Sequence, residues 1–452
     1  MRSWTPEQVA RAAAARLVAP PPTQTGPQRA VIDSRDAGPG ALFVGLPGTK
    51  VDGGRFAPQA LAATAWGVLA TPEHAEAAKC APPGVLLASA DPLKSLQRLA
   101  TAWRRELGAK VIGVTGSTGK TSTKDILLAI LSPHRLTVAS RANFNTEIGL
   151  PLEILAAPLA TEVLVLEMAM RGPGQIAELA AIAEPDVAVI VSVGPVHLEL
   201  LGTVEAIAAA KAEVIAALLP GGTAVIPANE PLLEPHLRDD VTTVTFGNGG
   251  DVRLSHSGET QLEIDLQGQR TELEFPFTQA HLRQNLLAAV AAARAVGVEP
   301  RGRVELALSP GRGQRLRLPD EVTVIDDCYN ANPMSMRAAL DDLAATAAGV
   351  EHARRVAVLG DMLELGPDER RFHVEIGRHA GEVRVNVLVT VGPLAAAMAE
   401  GFDGDVHRVD TAPDAAALVP RLLQARDVVL VKASRGVGLE LVCRALGQGV
   451  AA

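Results

Sequence analysis

Apolar residues fall into two textures along this chain. One is a short, nearly unbroken run of Val, Ile, Leu and Ala bounded by Gly, Pro or a charge. The other is a longer alanine-rich stretch with polar residues at helical spacing. "KVIGVT", "EVLVLEMA", "PDVAVIVSVG" and "GTAVIPAN" belong to the first kind, and "TVEAIAAAKAEVIAALL" to the second. Runs apolar at every position suit strands buried on both faces, and their alternation with helices predicts a parallel sheet covered on each side. From 251 to 275 the texture changes. "DVRLSHSGETQLEIDLQGQRTELEF" alternates apolar and polar residues around turns at Ser257-Gly258 and Gln267-Gly268. That pattern predicts an antiparallel meander appended to the main sheet.

Two further units flank this central one. Upstream, "ALFVGL", "AWGVLA" and "GVLLAS" lie among Pro- and Gly-rich turns and end in the helix "DPLKSLQRLATAWRRELGA". A small α/β domain over 1–108 is expected. It opens with a helix that has Thr5 as N-cap, Pro6 at N1 and Gln8 at the capping-box position. Downstream, "VTVIDD", "RRVAVLGD", "VNVLVTVG" and "DVVLVKAS" predict a Rossmann-like α/β domain over 319–452, leaving 109–318 as the centre. Ligands in such sheets bind at strand carboxyl ends. There the third unit carries Asp326, Asp327, Gly360, Asp361 and the segment 432–435.

Length and charge narrow the picture. A chain of 452 residues exceeds one ordinary core. A net charge of -9 argues against non-specific nucleic-acid binding. No run is long and apolar enough to cross a membrane, and Glu7, Gln8, Arg11 and Arg16 break up any signal-peptide pattern. Three widely spaced cysteines (Cys80, Cys328 and Cys443) suit a reducing cytoplasm and have no metal-ligand spacing.

The strand "KVIGVT" runs into "GSTGKTSTKDILLAIL". Strand, glycine-rich loop and helix in that order form a phosphate cradle: backbone N–H groups face the anion, Lys120 reaches its outer oxygens and Thr121 can hold magnesium. The spacing is G-x-x-G-x-x-G-K-T, with Val114 where the general template has its first glycine. Gly116, Ser117, Thr118, Gly119, Lys120, Thr121 and Ser122 are therefore candidate nucleotide-binding residues. Glu167, ending a neighbouring strand, is a candidate magnesium ligand. His197 and Lys211 carry no decisive signal by themselves. His281 and Asn285 lie at i, i+4 on one helical face. Arg312 and Arg315 read as a basic stretch between domains. "DDCYNANP" reads as a strand end turning into a helix that starts at Pro333.

"GVTGSTGKTST" resembles the ATP loop of the Mur ligases, the cytoplasmic enzymes of peptidoglycan precursor synthesis, and folylpolyglutamate synthetases share a similar loop. "VGPVHLELLGT" and "RANFNTEIGLPLEIL" are also similar to Mur ligase segments. "IDDCYNANPMSMRAAL", "VAVLGDMLELG" and "LVKASRGVGLE" resemble the branch whose acceptor is D-alanyl-D-alanine. The resemblance implies a three-domain α/β fold: an N-terminal UDP-sugar domain, a central P-loop ATPase domain and a C-terminal acceptor domain. It implies two magnesium ions held by Thr121, Glu167, His197 and Lys211, with Lys211 carbamylated and Lys120, Lys211 and His197 catalytic. Asn285 would contact adenine, Arg312 the phosphates, and Asp327 would complete the nucleotide site. Ser34 and Arg35, beside Asp33, together with Asn145, Thr146, Asn330, Asn332 and Arg435, would bind substrates.

The implied reaction is ATP-dependent amide formation between UDP-MurNAc-tripeptide and D-Ala-D-Ala through an acyl phosphate, by a cytoplasmic monomer. Two other readings stay open: a folylpolyglutamate synthetase-like ligase, and a nucleotide-switch ATPase without ligase chemistry. In one place the chain departs from the family, which often has Asp-Gly-His where this sequence reads Asp52-Gly53-Gly54. Whatever that histidine touches must be supplied otherwise or be missing.

Overall fold

The computed structural model describes residues 1, 3–141 and 143–448. The chain folds into three sheets taken in sequence order. The first has five strands, β1 (Arg16–Leu17), β2 (Arg29–Val31), β3 (Ala41–Val44), β4 (Gly67–Ala70) and β5 (Val85–Ala88), in the order β1-β5-β4-β3-β2. Strands β2 to β5 are parallel, and β1 closes one edge antiparallel. Helices α1 (Pro6–Ala12), α2 (Ala57–Ala62), α3 (Pro72–Ala77) and α4 (Pro92–Leu107) surround it. The predicted capping box of α1 forms: Thr5 accepts from the Gln8 N–H and Gln8 from the Thr5 N–H.

The second sheet holds β6 (Lys110–Thr115), β7 (Thr137–Ala139), β8 (Val163–Glu167), β9 (Val187–Ile190), β10 (Thr223–Pro227), β11 (Thr242–Phe246), β12 (Val252–Ser257), β13 (Gln261–Leu266), β14 (Gln269–Glu274) and β15 (Gly302–Arg303). Their order is β15-β14-β13-β12-β11-β10-β9-β6-β8-β7. The meander β12–β13–β14 is antiparallel, as its alternation predicts. It is appended to the main sheet as expected, β12 pairing with β11 at Phe246 and Val252. Helices α5 (Lys120–Leu131) and α10 (Ala280–Ala295) cover one face of the sheet. The other is covered by α6 (Gly149–Ala156), α7 (Gln175–Ala183) and α9 (Val204–Ala216), with the short α8 (Leu198–Leu201) after β9.

The third sheet is β16 (Gln314–Arg317), β17 (Thr323–Asp326), β18 (Arg355–Gly360), β19 (Val387–Val391), β20 (Asp405–Val409) and β21 (Val428–Lys432), in the order β16-β17-β21-β18-β19-β20. All are parallel except β16. Helices α11 (Pro333–Ala348) and α12 (Glu369–Glu382) lie on one face, α13 (Ala412–Leu422) and α14 (Glu440–Gln448) on the other. The uninterrupted apolar run of β21 is explained by this sandwich. Val428 and Leu430 enter one core, Val429 and Val431 the other.

The first and second units share one core. Leu42, Leu69 and Leu87 of the first sheet join α4, α6 and the Leu164 and Leu166 face of the second. Trp103 on α4 sits at the centre, 1% exposed, edge-on to Trp4 at 5.4 Å, and its Nε1 donates to the Ala157 carbonyl. Truncating a buried aromatic of this kind costs about 3–5 kcal/mol. Among the described residues no helix is long and apolar enough to cross a membrane.

Candidate active site

Strand β6 lies between β8 and β9, so the loops leaving these three strands converge. The loop after β6 turns at Gly119, which has φ 79° and caps α5. A side chain there would be strained by the backbone and would also meet Asn285 Oδ1 at 2.6 Å. The loop is pinned from the β9 side. Ser117 Oγ donates to the Gly194 carbonyl at 3.0 Å and accepts from the Gly194 N–H, and the Thr118 N–H donates to Ser192 Oγ at 2.9 Å. Lys120 begins α5, and its ammonium folds back onto the Gly116 carbonyl at 2.7 Å.

Glu167 ends β8, nearly buried, and joins two candidate residues. Thr121 Oγ1 donates to its Oε2 at 2.9 Å, and Asn145 Nδ2 to its Oε1 at 2.8 Å. Its own N–H is held by Ser140 Oγ at 3.0 Å. Asn145 is thus tied to the carboxylate. The hydroxyl of Thr146 faces the Gly149 N–H at 3.4 Å.

The third unit closes on this centre. Arg312 Nη2 donates to Thr121 Oγ1 at 3.1 Å while its guanidinium stacks on Tyr329, 4.0 Å from the ring centroid, and Arg435 approaches the same ring at 5.3 Å. Such stacking holds a guanidinium with donors left over for a phosphate. Arg315 instead pairs with Asp342 at 2.6 Å. Asp327 is bound by the nearly buried Lys432 at 2.6 Å. His197, at φ 54°, meets Glu364 of the third unit, its Nδ1 2.5 Å from Oε2. Met334 packs over Gly194.

Positive charge accumulates here. Burial pushes the Lys120 amine below its ordinary range; the Glu167 carboxylate opposes that shift and Arg312 adds to it. Burial drives the Lys211 amine far down, and the Lys120 charge deepens the effect. Lys211 is 2% exposed, and its amine makes no hydrogen bond or ion pair among the described residues. Burial also lowers His197, with Glu364 pulling the other way and Lys120 and Lys211 adding to the fall. The half-buried Lys120 and Arg312 gather beside Glu167, and the buried Lys211 amine faces Lys120, an accumulation of positive charge suited to an anion.

Thr121, Glu167 and Asn145 offer hard oxygen donors of the sort magnesium takes. His197 stands on the same side, held at its Nδ1.

Other expected residues are engaged elsewhere. Asn332, expected among the substrate-binding residues, is the N-cap of α11, its Oδ1 accepting from the Ser335 N–H at 2.9 Å. Asn330 Oδ1 accepts from the Ala331 N–H, and its carbonyl from Lys432. Ser34 and Arg35 lie at the carboxyl end of β2, distant in sequence from the loop. Ser34 Oγ donates to Gln59, and the exposed Arg35 pairs with Asp33. Ser140, Ser192, Tyr329 and Glu364 were not singled out by the sequence. Tyr329 sits inside the asparagine-rich turn among acidic and amide residues, and only the fold brings Arg312 and Arg435 onto its ring.

The comparisons with known proteins agree along the whole chain. Family models described as "Mur ligase family, catalytic domain", "Mur ligase middle domain" and "Mur ligase, glutamate ligase domain" match residues 30–93, 114–293 and 311–435. A UDP-N-acetylmuramoyl-tripeptide–D-alanyl-D-alanine ligase of Bacillus subtilis is 35% identical over 98% of this chain and 98% of its own length. The chain belongs to the Mur ligase family. Among solved Mur ligases, a MurF from Acinetobacter baumannii superposes with a TM-score of 0.88 at 30% identity, covering 98% of this chain and 99% of that one. A MurF from Thermotoga maritima in complex with ADP gives 0.80 at 30% identity, covering 94% and 98%. The expected three-domain Mur ligase fold is therefore the observed one.

Proposed function

We propose that this Mur ligase joins D-alanyl-D-alanine to UDP-MurNAc-tripeptide at the expense of ATP, releasing ADP and phosphate. The observation that carries the reading is the meeting of Lys120, Thr121 and Glu167 with Arg312, at the end of the central segment, and with Tyr329 of the third unit. The names of the full-length relatives supply the substrates. We divide the chain at 108 and 318 into donor, ATP and acceptor domains.

A carboxylate is a poor electrophile. In the proposed reaction the tripeptide carboxylate forms a bond to the γ-phosphorus as the bond to ADP breaks, giving an acyl phosphate. The dipeptide amine then adds to the acyl carbon, loses a proton and expels phosphate. No protein nucleophile is required; the residues position reactants and balance charge. Lys120 and Arg312 would hold the outer phosphate oxygens, and the loop N–H groups the inner ones. Asn285 and Asp327 would complete the nucleotide site, and Ser34 and Arg35 would meet the UDP-sugar. Asn330 and Arg435 would face the dipeptide.

Thr121, Glu167, His197 and a carbamylated Lys211 would hold two magnesium ions, which neutralise phosphate charge when bound. ATP and a UDP-linked substrate put the reaction in the cytoplasm, and we assign it to a monomer. The test is ADP release by the purified chain. Release should need UDP-MurNAc-tripeptide and D-Ala-D-Ala together. Equal release without either substrate would instead favour a simple ATPase.

A further inference from the structure

The departure at Asp52-Gly53-Gly54 has a spatial counterpart. Gly54 is buried in the loop that leaves β3, and that loop is folded tightly on itself. The Gly53 N–H donates to the Leu46 carbonyl at 2.9 Å, and the Gly54 N–H to Asp52 Oδ1 at 2.8 Å. A Cβ on Gly45 would fall 2.5 Å from the Gly54 Cα, so the two backbones touch. On the other side of Gly54 stands the imidazole of His74, from α3. A Cβ on Gly54 would lie 2.3 Å from His74 Cδ2 and 2.8 Å from its Cγ. The volume that a side chain at 54 would enter is already filled, and it is filled by a histidine.

His74 is held there from below. Its Nε2 lies 3.2 Å from Asp52 Oδ2, on the same carboxylate that caps Gly54. No other hydrogen bond or ion pair of the ring is found among the described residues, so Nδ1 stays available. The side chain is 21% exposed, against 42% for Asp52. Its place in the fold matters as much as its partner. β2, β3 and β4 are adjacent and parallel, so the loops carrying Ser34, Asp52 and His74 leave the same edge side by side. Ser34 Oγ is linked through Gln59 to α2, which follows directly on the Asp52–Phe56 turn. Carboxyl edges of parallel sheets are where ligands bind.

We propose that His74, held by Asp52 at the carboxyl edge of the first sheet, is a positioning residue for the nucleotide-sugar end of the donor substrate. The His74 ring occupies the space that a side chain at 54 would enter, so a side chain there would displace the ring from Asp52. The idea rests on the donor-binding role assigned above to the first unit, and the experiment separates the two.

The experiment is steady-state kinetics with UDP-MurNAc-tripeptide, D-Ala-D-Ala and ATP, on the wild type, His74→Ala, Gly54→His and the double variant Gly54→His/His74→Ala. Melting temperatures are measured alongside. Expected for His74→Ala is a KM for UDP-MurNAc-tripeptide raised about tenfold, the size of one lost polar contact. Its kcat and the KM values for ATP and D-Ala-D-Ala should stay within about twofold. Gly54→His alone should lower the melting temperature. The double variant should recover both the melting temperature and most of the lost KM, which a merely structural His74 would not predict for KM. An unchanged donor KM in His74→Ala, or a double variant no better than that single one, overturns the proposal while leaving the ligase reading intact. A wild type that does not use UDP-MurNAc-tripeptide would remove both.

Discussion

His197 Nδ1 and Glu364 Oε2 lie 2.5 Å apart although their residues are 167 positions apart in the chain. The contact crosses from the central unit to the third and fixes the imidazole by one nitrogen, so the other is left to face the site. A carboxylate behind a histidine orients the ring and raises its basicity as a ligand, and losing one commonly costs about 10–100-fold in metal affinity or activity. Glu364→Ala is therefore expected to raise the magnesium concentration for half-maximal ligation by about tenfold or more. Glu364 is 40% exposed, so the melting temperature should barely move. An unaltered magnesium requirement would mean that the pair only holds the two units together.

Lys120→Ala tests the phosphate loop. Removing one charged donor from a developing anion costs about 10²–10³-fold in rate. ADP release should drop by at least that factor while the circular dichroism spectrum is unchanged, because among the described residues the lysine bonds only the Gly116 carbonyl. Turnover near the wild-type rate would refute the assignment.

The asparagine-rich turn divides into two roles. Asn332 caps α11, so Asn332→Ala should lower stability by about 0.5–2 kcal/mol. No hydrogen bond of the Asn330 amide nitrogen is found among the described residues, its Oδ1 accepting from the Ala331 N–H. Asn330→Ala should raise the KM for D-Ala-D-Ala more than that for UDP-MurNAc-tripeptide, by an amount equivalent to about 1–3 kcal/mol. Equal rises for both substrates would make the residue a general support of the turn.

Much of the fold was legible because most strands are buried on two faces and so read as unbroken apolar runs. "DVVLVKAS" gave β21 directly, and the loop from Gly116 to Lys120 announced itself by spacing. What escaped was of two sorts. The edge strand β20, "DVHRV", is half polar because one side has no neighbour, and β16 lies in what read as a basic linker. The site residues Ser140, Ser192 and Glu364 are ordinary polar residues until folding brings them against Glu167, Thr118 and His197. Asn332 shows the converse. Its residue type fitted both a ligand contact and a helix cap, and only the geometry separates them.

His373 sets an acid limit on stability. It is fully buried; Nε2 accepts from the Met362 N–H at 2.9 Å, and Nδ1 faces the Glu369 carbonyl at 2.6 Å. This arrangement requires the neutral ring, and burial holds its pKa below the ordinary histidine value of 6.5. The unfolded chain therefore binds a proton here that the folded one refuses. The stabilisation is complete above that ordinary value and is lost as pH falls below it towards the folded-state value. Melting temperature should decline as pH falls below about 6.5, and His373→Gln should lower it at neutral pH while flattening the decline. An identical slope in the variant would assign the acid sensitivity to other groups.

Lys211 is expected to work as a carbamate. A buried ammonium beside Lys120 has nothing to offset its charge, and burial with that neighbour drives the amine toward its neutral form. A neutral amine can attack carbon dioxide: an N–C bond forms as one C–O π bond breaks, one proton leaves nitrogen, and the neutral side chain becomes an anionic one with two oxygen ligands. This puts a negative charge next to Lys120 and supplies the donor type that magnesium takes. Lys211→Ala should lose ligation, and a small carboxylic acid that enters the vacated space should restore part of it. Wild-type enzyme stripped of carbon dioxide in degassed buffer should lose activity and regain it on addition of bicarbonate. Full activity after stripping, with an unmodified lysine mass in the active protein, would exclude the carbamate and leave Lys211 as a neutral buried amine.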